Sequence, residues 1–281
     1  MVRVSCTLHI RGATLEQRSI VLNRLQSNRE WEMWGEKDPL WGVAAYKDRK
    51  RTGSNPWNND DFYKMGSQDW KDFSEVWSTF GMQKGSCLEI GCGAGRITRH
   101  IENDFDSVHA IDVSPGMLEY ARENAGTKKT TFHLYDGVNI PLPDNSVEAA
   151  FSCHVFQHLD SLEDAHDLFL EVYRVLAPGG TLLIHIPVHF WPFRSKKYKA
   201  LHKLGLKLGN MRKKWRRTLG NLGLTDPYMA GLSFPEEFFF SKLSRSGFEG
   251  GMLTTFALKS NNVPHTCYLV KKHKDDVQAP K

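Results

Sequence analysis

The sequence predicts an α/β fold: a doubly wound, mostly parallel sheet with helices on both faces. Three observations carry this expectation. Residues 84–187 alternate short apolar, strand-like runs with segments of helical period. The first three of those runs end in glycine or aspartate, where parallel sheets turn from strand to helix. The chain has 281 residues, 40% hydrophobic and 25% charged, which is enough for a sizeable core and unlike a disordered chain. No apolar run approaches the ~18 residues of a membrane-spanning helix. The first residues have no signal-peptide core, because Arg3, His9 and Arg11 interrupt them. Five cysteines without a Cys-x-x-Cys pair suggest neither a disulfide framework nor a zinc finger, and a cytoplasmic location is expected.

The elements follow in order. Ser86–Ile90 reads as a first strand running into glycines, with a helix over Arg96–Asn103. Ser107–Val113 is the second strand, and Ser114-Pro115 supplies an N-cap and a first-turn proline for the helix Met117–Asn124. Thr131–Tyr135 and Val147–Ser152 are the third and fourth strands. Ala165, Leu168, Phe169, Val172, Val175 and Leu176 lie on one helical face, which Pro178-Gly179-Gly180 closes before the fifth strand, Thr181–Ile186. A helix from Pro235 to Ser246 and two strands, Met252–Leu258 and Thr266–Lys271, are expected to finish the sheet with an antiparallel edge. The charged stretch Lys271–Lys281 reads as a frayed tail.

Two zones flank this core. Residues 1–80 are read as a helical cap, 81–281 as the main domain, and 188–234 as an insertion within it. The cap holds six tryptophans inside 47 positions, and Trp70, Phe73, Trp77 and Phe80 recur at helical spacing. Those rings either pack the cap onto the sheet or wall an acceptor pocket. The insertion opens with a basic amphipathic stretch: Val188–Gly220 has 11 Lys or Arg and no acidic residue. The net charge is +5, so the rest of the chain, with 26 basic and 32 acidic residues, stands at −6. That balance argues against nucleic acid as a partner. An acceptor lid and an anionic membrane surface remain open as roles for the insertion, with Trp191, Phe193 and Trp215 suited to an interface.

The informative stretch is Cys87-Leu88-Glu89-Ile90-Gly91-Cys92-Gly93-Ala94-Gly95-Arg96. Its G-x-G-x-G spacing differs from the G-x-G-x-x-G of dinucleotide sites, since position 96 is Arg, and no Walker Gly-Lys-Ser/Thr follows. Asp112 ends the second strand, 21 residues beyond Gly91, where a carboxylate can accept from ribose hydroxyls. Asp136-Gly137 ends the third strand and reads either as an adenine contact or as an ordinary Asp-Gly turn.

With CLEIGCGAGRIT (87–98), AIDVSPGMLEYAREN (110–124), the DG at 136–137, IPLPDNSVEAAFSCHVFQHL (140–159) and RVLAPGGTLLI (174–184), the chain resembles the class I S-adenosylmethionine-dependent methyltransferases, nearest those called methyltransferase type 11. The resemblance covers roughly residues 85–187 and implies a Rossmann-like fold, a methyltransferase activity and S-adenosylmethionine as cofactor. It places Glu89, Gly91, Gly93 and Gly95 at the methionine end, Asp112 on the ribose, Val113 and Met117 around the adenine, Asp136 and Gly137 near the adenine amino group, and the Ser152 backbone near the sulfonium. One departure is Val147-Glu148, where family members usually have Phe-Asp. An acidic residue at the loop suits a cofactor with a sulfonium and an ammonium group and no pyrophosphate.

For chemistry, the segment Ser152–His158 offers His154 and His158 as candidate bases, although a packed or hydrogen-bonded structural histidine is the favoured reading of each. Cys153 reads as inert packing. No His-x-x-x-His or paired-Asp cluster is present, so no metal is expected. The expected function is methylation of a small molecule, a sugar or secondary metabolite, at oxygen, because the Asn/Asp-Pro-Pro-Tyr/Phe motif of many amino-group methylators is absent after the fourth strand. A lipid or lipid-linked acceptor at a membrane surface, and a non-catalytic binding domain, are the alternatives.

Overall fold

The computed structural model describes residues 15–189, 212–229, 231–235, 238–239, 247–262 and 264–274. Seven strands form one sheet in the order β3-β2-β1-β4-β5-β9-β8. Strands β1 (Ser86–Ile90), β2 (Ser107–Asp112), β3 (Thr130–Leu134), β4 (Val147–Ser152) and β5 (Leu176–His185) pair in parallel. Strand β9 (Pro264–Lys272) runs antiparallel between β5 and the edge strand β8 (Phe248–Ala257). The doubly wound, mostly parallel sheet with an antiparallel C-terminal edge is therefore as the sequence predicts.

Alternation assigns the two faces. Leu88, Ile90, Leu182, Ile184, Tyr268 and Val270 meet helix α6 (Leu162–Val175) through Leu168, Phe169 and Val172. Their neighbours Cys87, Phe151, Leu183, Cys267 and Leu269 face the other way, against Trp70, Phe73 and Trp77 of helix α3 (Asn59–Phe80). Those aromatics thus seal the cap helix to the sheet, with Trp77 stacked on Phe151 at 6.2 Å and its indole donating to Thr181 at 2.9 Å. Burial on both faces explains why the central strands β1, β4 and β5 read as largely apolar runs.

Several boundaries differ from the sequence expectation. The helix after the glycines is only α4 (Thr98–Ile101), because 93–97 is a chain of turns in which Gly93 and Gly95 take left-handed φ. Arg96 is drawn from that turn into a buried pair with Asp69 of α3 instead of opening a helix. Helix α6 stops at Val175, and β5 begins at Leu176, ahead of Pro178, where its pairing with β4 shifts register between Val147 and Ala149. Phe234–Pro235 forms β7, which pairs with β6 (Val188–His189) rather than opening a helix, although 238–239 are helical. Of the basic stretch, 212–221 is helical, and 190–211 lies outside the described residues together with Trp191 and Phe193.

The expected frayed tail is ordered at its start. Lys272 is 1% exposed and donates to Asn145 Oδ1, Tyr173 O and Leu176 O at 2.7–2.8 Å. Two of these acceptors are carbonyls at the C-terminal end of α6, where the helix dipole favours a cation. Residues 275–281 lie outside the description. No helix among the described residues is long and apolar enough to cross a membrane.

Candidate active site

The carboxyl ends of β1, β2, β3 and β4 meet at one cleft of about 990 Å³, part of it open to solvent. Gly91, Gly93, Asp112, Val113 and Met117 line its floor, with Tyr135 and Gly137 at one side and Cys153, His154 and His158 at the other. Gly91 has φ 70°, and a Cβ there would lie 2.1 Å from Val155 Cγ2. At Gly93, φ is 53° and a Cβ would lie 2.5 Å from Val43 Cγ2. Both positions therefore require glycine for conformation and for space.

Asp112 organises this floor. Its Oδ2 accepts from the Gly93 amide at 2.8 Å and its Oδ1 from the Ser114 amide at 2.9 Å. Burial raises its pKa, and these amide donors act in the opposite direction. Ser114 in turn caps helix α5 (Pro115–Asn124) by accepting from Met117 N. One carboxylate thus ties the glycine loop of β1 to the helix that follows β2, and it retains lone pairs toward the cleft.

Four residues that the resemblance placed at the cofactor do not line the cleft. Gly95 packs toward α5, where a Cβ would lie 2.4 Å from Ala125 Cβ. Ser152 is buried and its hydroxyl donates to Ile90 O. Asp136 is exposed, and its carboxylate accepts from the Val138 and Asn139 amides at 2.7 Å. It therefore shapes its own Asx turn, the ordinary reading of Asp-Gly. Glu89 is buried behind the loop with Oε2 unpartnered, and burial pushes its pKa up to about 7. Glu148, at the divergent position, accepts from Ser86 N at 2.6 Å, at the opposite end of β1 from the cleft.

The roof comes from residues outside the five motifs of 87–184. Ser27, Asn28 and Trp31 of helix α1 (Leu15–Lys37) line the cleft, as do Gly42 and Val43 of helix α2 (Pro39–Val43). Ser27 donates to His158 O at 3.2 Å, Asn28 donates to Asp136 O at 2.9 Å, and Trp31 meets the His158 ring edge-on at 5.0 Å. The basic helix locks this roof. Arg217 donates to Glu30 of α1 at 2.6 Å and pairs with Asp160 at the cleft wall, which Lys213 also approaches at 3.4 Å. Part of the positive charge that the sequence left without partners is thus neutralised inside the fold. Arg212, Lys214, Arg216 and the 72%-exposed Trp215 face outward.

The two candidate bases differ in setting. His154 follows β4 in a left-handed conformation, φ 61°, and burial together with His185 and Arg96 holds its pKa well below the ordinary histidine value. It is neutral at physiological pH and a weak base. His158 lies in a 3-10 turn (Phe156–His158) with its Nε2 3.0 Å from the Gln157 amide nitrogen. The sequence spacing shows no metal cluster, but the fold brings Cys153, His154 and His185 together, with one possible ligand atom from each within 4.8 Å of the others.

Residues 88–184 match the family model described as a methyltransferase domain. That stretch carries a methyltransferase domain. Within that region it is 35% identical over 98 residues to the malonyl-[acyl-carrier protein] O-methyltransferase of Hahella chejuensis, covering 34% of each chain. It is 30% identical over 107 residues to the ajmaline N-methyltransferase of Rauvolfia serpentina, covering 36% of each. The chain thus spans about a third of the length of the curated relatives it matches. The magnesium protoporphyrin IX methyltransferase of Synechocystis, solved with bound SAH, shares the fold with a TM-score of 0.53 at 14% identity, over 90% of this chain and 99% of that one. The residues of the methyltransferase domain fit S-adenosylmethionine: a buried, unpartnered Glu89 oxygen stands behind the loop, Asp112 lies at the strand end, and apolar Val113 and Met117 lie beside it.

Proposed function

We propose that the whole chain is a methyltransferase that acts on a small-molecule acceptor, at oxygen. The observation that carries this reading is the single cleft that joins the Gly91–Gly93 loop and Asp112 to His154 and His158. When bound, S-adenosylmethionine supplies an electrophilic methyl group on a sulfonium sulfur. In this reading Asp112 accepts from the ribose hydroxyls, Val113 and Met117 flank the adenine, and the Gly91–Gly93 backbone with Glu89 receives the methionine end. Asp136 acts indirectly, by shaping the turn that carries Gly137 to the cleft. His158 is the better candidate to hold a proton from an acceptor hydroxyl, because burial depresses the basicity of His154. The roof over Trp31 and Val43 excludes water from the reacting atoms.

The boundaries at 1–80, 81–281 and 188–234 belong to the same proposal, with the cap and the insertion as roof. So does a reducing, cytoplasmic location, supported by four free thiols at Cys87, Cys92, Cys153 and Cys267. One observation favours a second reading, a lipid-linked acceptor at an anionic surface: Trp215, Leu222 and Leu224 are 66–72% exposed next to Arg212, Lys214 and Arg216.

Titration calorimetry with S-adenosylmethionine and S-adenosylhomocysteine tests the first reading. Both are expected to bind one per chain, and Asp112→Ala to weaken binding by about 1–3 kcal/mol. A folded protein that binds neither would refute it.

A further inference from the structure

We infer that Cys153, His154 and His185 form a binding site for a zinc-class divalent ion, with its open coordination position turned to the cleft. All three lie at the carboxyl edge of the sheet. Cys153 and His154 follow β4, and His185 ends β5. Their possible ligand atoms lie within 4.8 Å of one another. A tetrahedral zinc ion with bonds near 2.0–2.3 Å separates its ligand atoms by roughly 3.3–3.8 Å, so side-chain rotations that draw these atoms inward by about an ångström complete the site.

Three further observations support an ion there. The ring of His265, from the start of β9, lies 4.6 Å from the His185 ring and 5.3 Å from the His154 ring, so three imidazoles converge on one point. His185 Nδ1 and both ring nitrogens of His265 are buried without any hydrogen-bond partner. Buried polar nitrogens are normally satisfied, and an unexplained group of them in one place is the signature of a missing ion or water. His154 also holds a left-handed backbone that a non-glycine residue rarely adopts, and such backbone conformations cluster at functional sites.

The Arg96 guanidinium, 3.9 Å from Cys153 Sγ, would oppose a cation alone, but it is paired with buried Asp69. A Cys-His-His set matches zinc or cobalt rather than calcium or magnesium. Cys153 and His154 both line the cleft, so the fourth position faces the space assigned to the acceptor. The identity of that fourth ligand rests on the methyl-transfer reading, but the binding of the ion does not.

The full chain, stripped with a chelator and held in a thiol-free phosphine reductant, is titrated with Co²⁺ and then with Zn²⁺. One Co²⁺ per chain is expected, with the visible bands of tetrahedral cobalt and a near-ultraviolet thiolate-to-cobalt band, both bleached by Zn²⁺. A small thiol, 2-mercaptoethanol, is expected to shift the visible bands by filling the open position. Cys153→Ser should remove the thiolate band, and Cys153→Ser and His185→Gln should each weaken binding more than about tenfold. His133→Asn, which breaks the His109–His133 pair at 3.1 Å, should leave binding unchanged. Circular dichroism confirms folding, and if one ligand variant does not fold, the other decides. Absence of a thiolate band, or loss of binding in His133→Asn alone, overturns the site. Bands that the small thiol does not move overturn the open position. Calorimetry with S-adenosylmethionine on the same samples tells failure of this site from failure of the methyltransferase reading.

Discussion

In the floor of the cleft the backbone itself is fixed: Gly91 and Cys92 donate to Ile111 O, and Gly93 and Ser114 donate to the Asp112 carboxylate. In the roof the fixing groups are side chains distant in sequence, with Arg217 reaching Glu30 across 187 positions and Asp160 across 57. The floor comes from one contiguous βαβ unit, whereas the roof is assembled from three separate segments. A floor substitution should therefore alter stability and cofactor binding together. A roof substitution should alter the closure of the cleft while leaving the sheet intact.

Asp112→Ala is expected to have the largest effect, because it leaves two buried amides without acceptors. A loss of about 2–5 kcal/mol in urea unfolding would fit, and a loss below about 1 kcal/mol would show that the floor does not depend on this carboxylate. Next is Glu89. Its folded pKa is raised from 4.5 to about 7 by burial, so the protonated form stabilises the free protein. That contribution is complete below about pH 4.5 and is lost as pH rises through about 7, on the order of 3 kcal/mol. Melting temperatures from pH 5 to 8 should fall in the unliganded protein. The fall should shrink in Glu89→Gln, and in the wild type when S-adenosylmethionine brings its ammonium group.

For the roof, Arg217→Met removes the cation that joins Glu30 to Asp160 and leaves only Lys213 beside Asp160, at about 2 kcal/mol. Hydrogen exchange should quicken over 27–37 of α1 and stay unchanged in β1 and β4. Equal acceleration in the sheet would dissolve the distinction between floor and roof. The smallest effect is expected for Trp215→Ala, within about 0.5 kcal/mol of the wild type in stability because the ring is 72% exposed. Co-sedimentation with anionic liposomes at low salt should fall in this variant if the outward face docks on a membrane. Indifference of the wild type to such liposomes removes the lipid reading.

The same contrast explains what the sequence could show. Strand positions, the Ser114 cap, the α6 stripe and the glycine loop are set by local periodicity and turn chemistry, and they are legible. Asp112 is legible too, because its partners lie 2 and 19 residues away. Asp136 shows the limit of a motif: the residue stands at the right strand end, but its side chain turns into its own loop. Ser27, Asn28, Trp31 and Val43 carry no local signal, since only packing of α1 and α2 over the strand ends brings them to the cleft. The histidine cluster is invisible for the same reason, because His154, His185 and His265 meet only when β4, β5 and β9 lie side by side.

Among the described residues β9 is the last strand of the sheet in chain order, yet it lies inside the sheet, between β5 and β8. At one end it brings His265 against the rings of His154 and His185, and at the other it delivers Lys272 to the last carbonyls of α6. During synthesis, at about 5–20 residues per second, a nascent chain acquires its glycine loop and Asp112 long before β9 emerges. Until then β5 has an unpaired edge and the end of α6 lacks its cation. A fragment that stops short of β9 holds the floor of the cleft but not the three converging imidazoles, so order of synthesis separates the making of the two halves of the site.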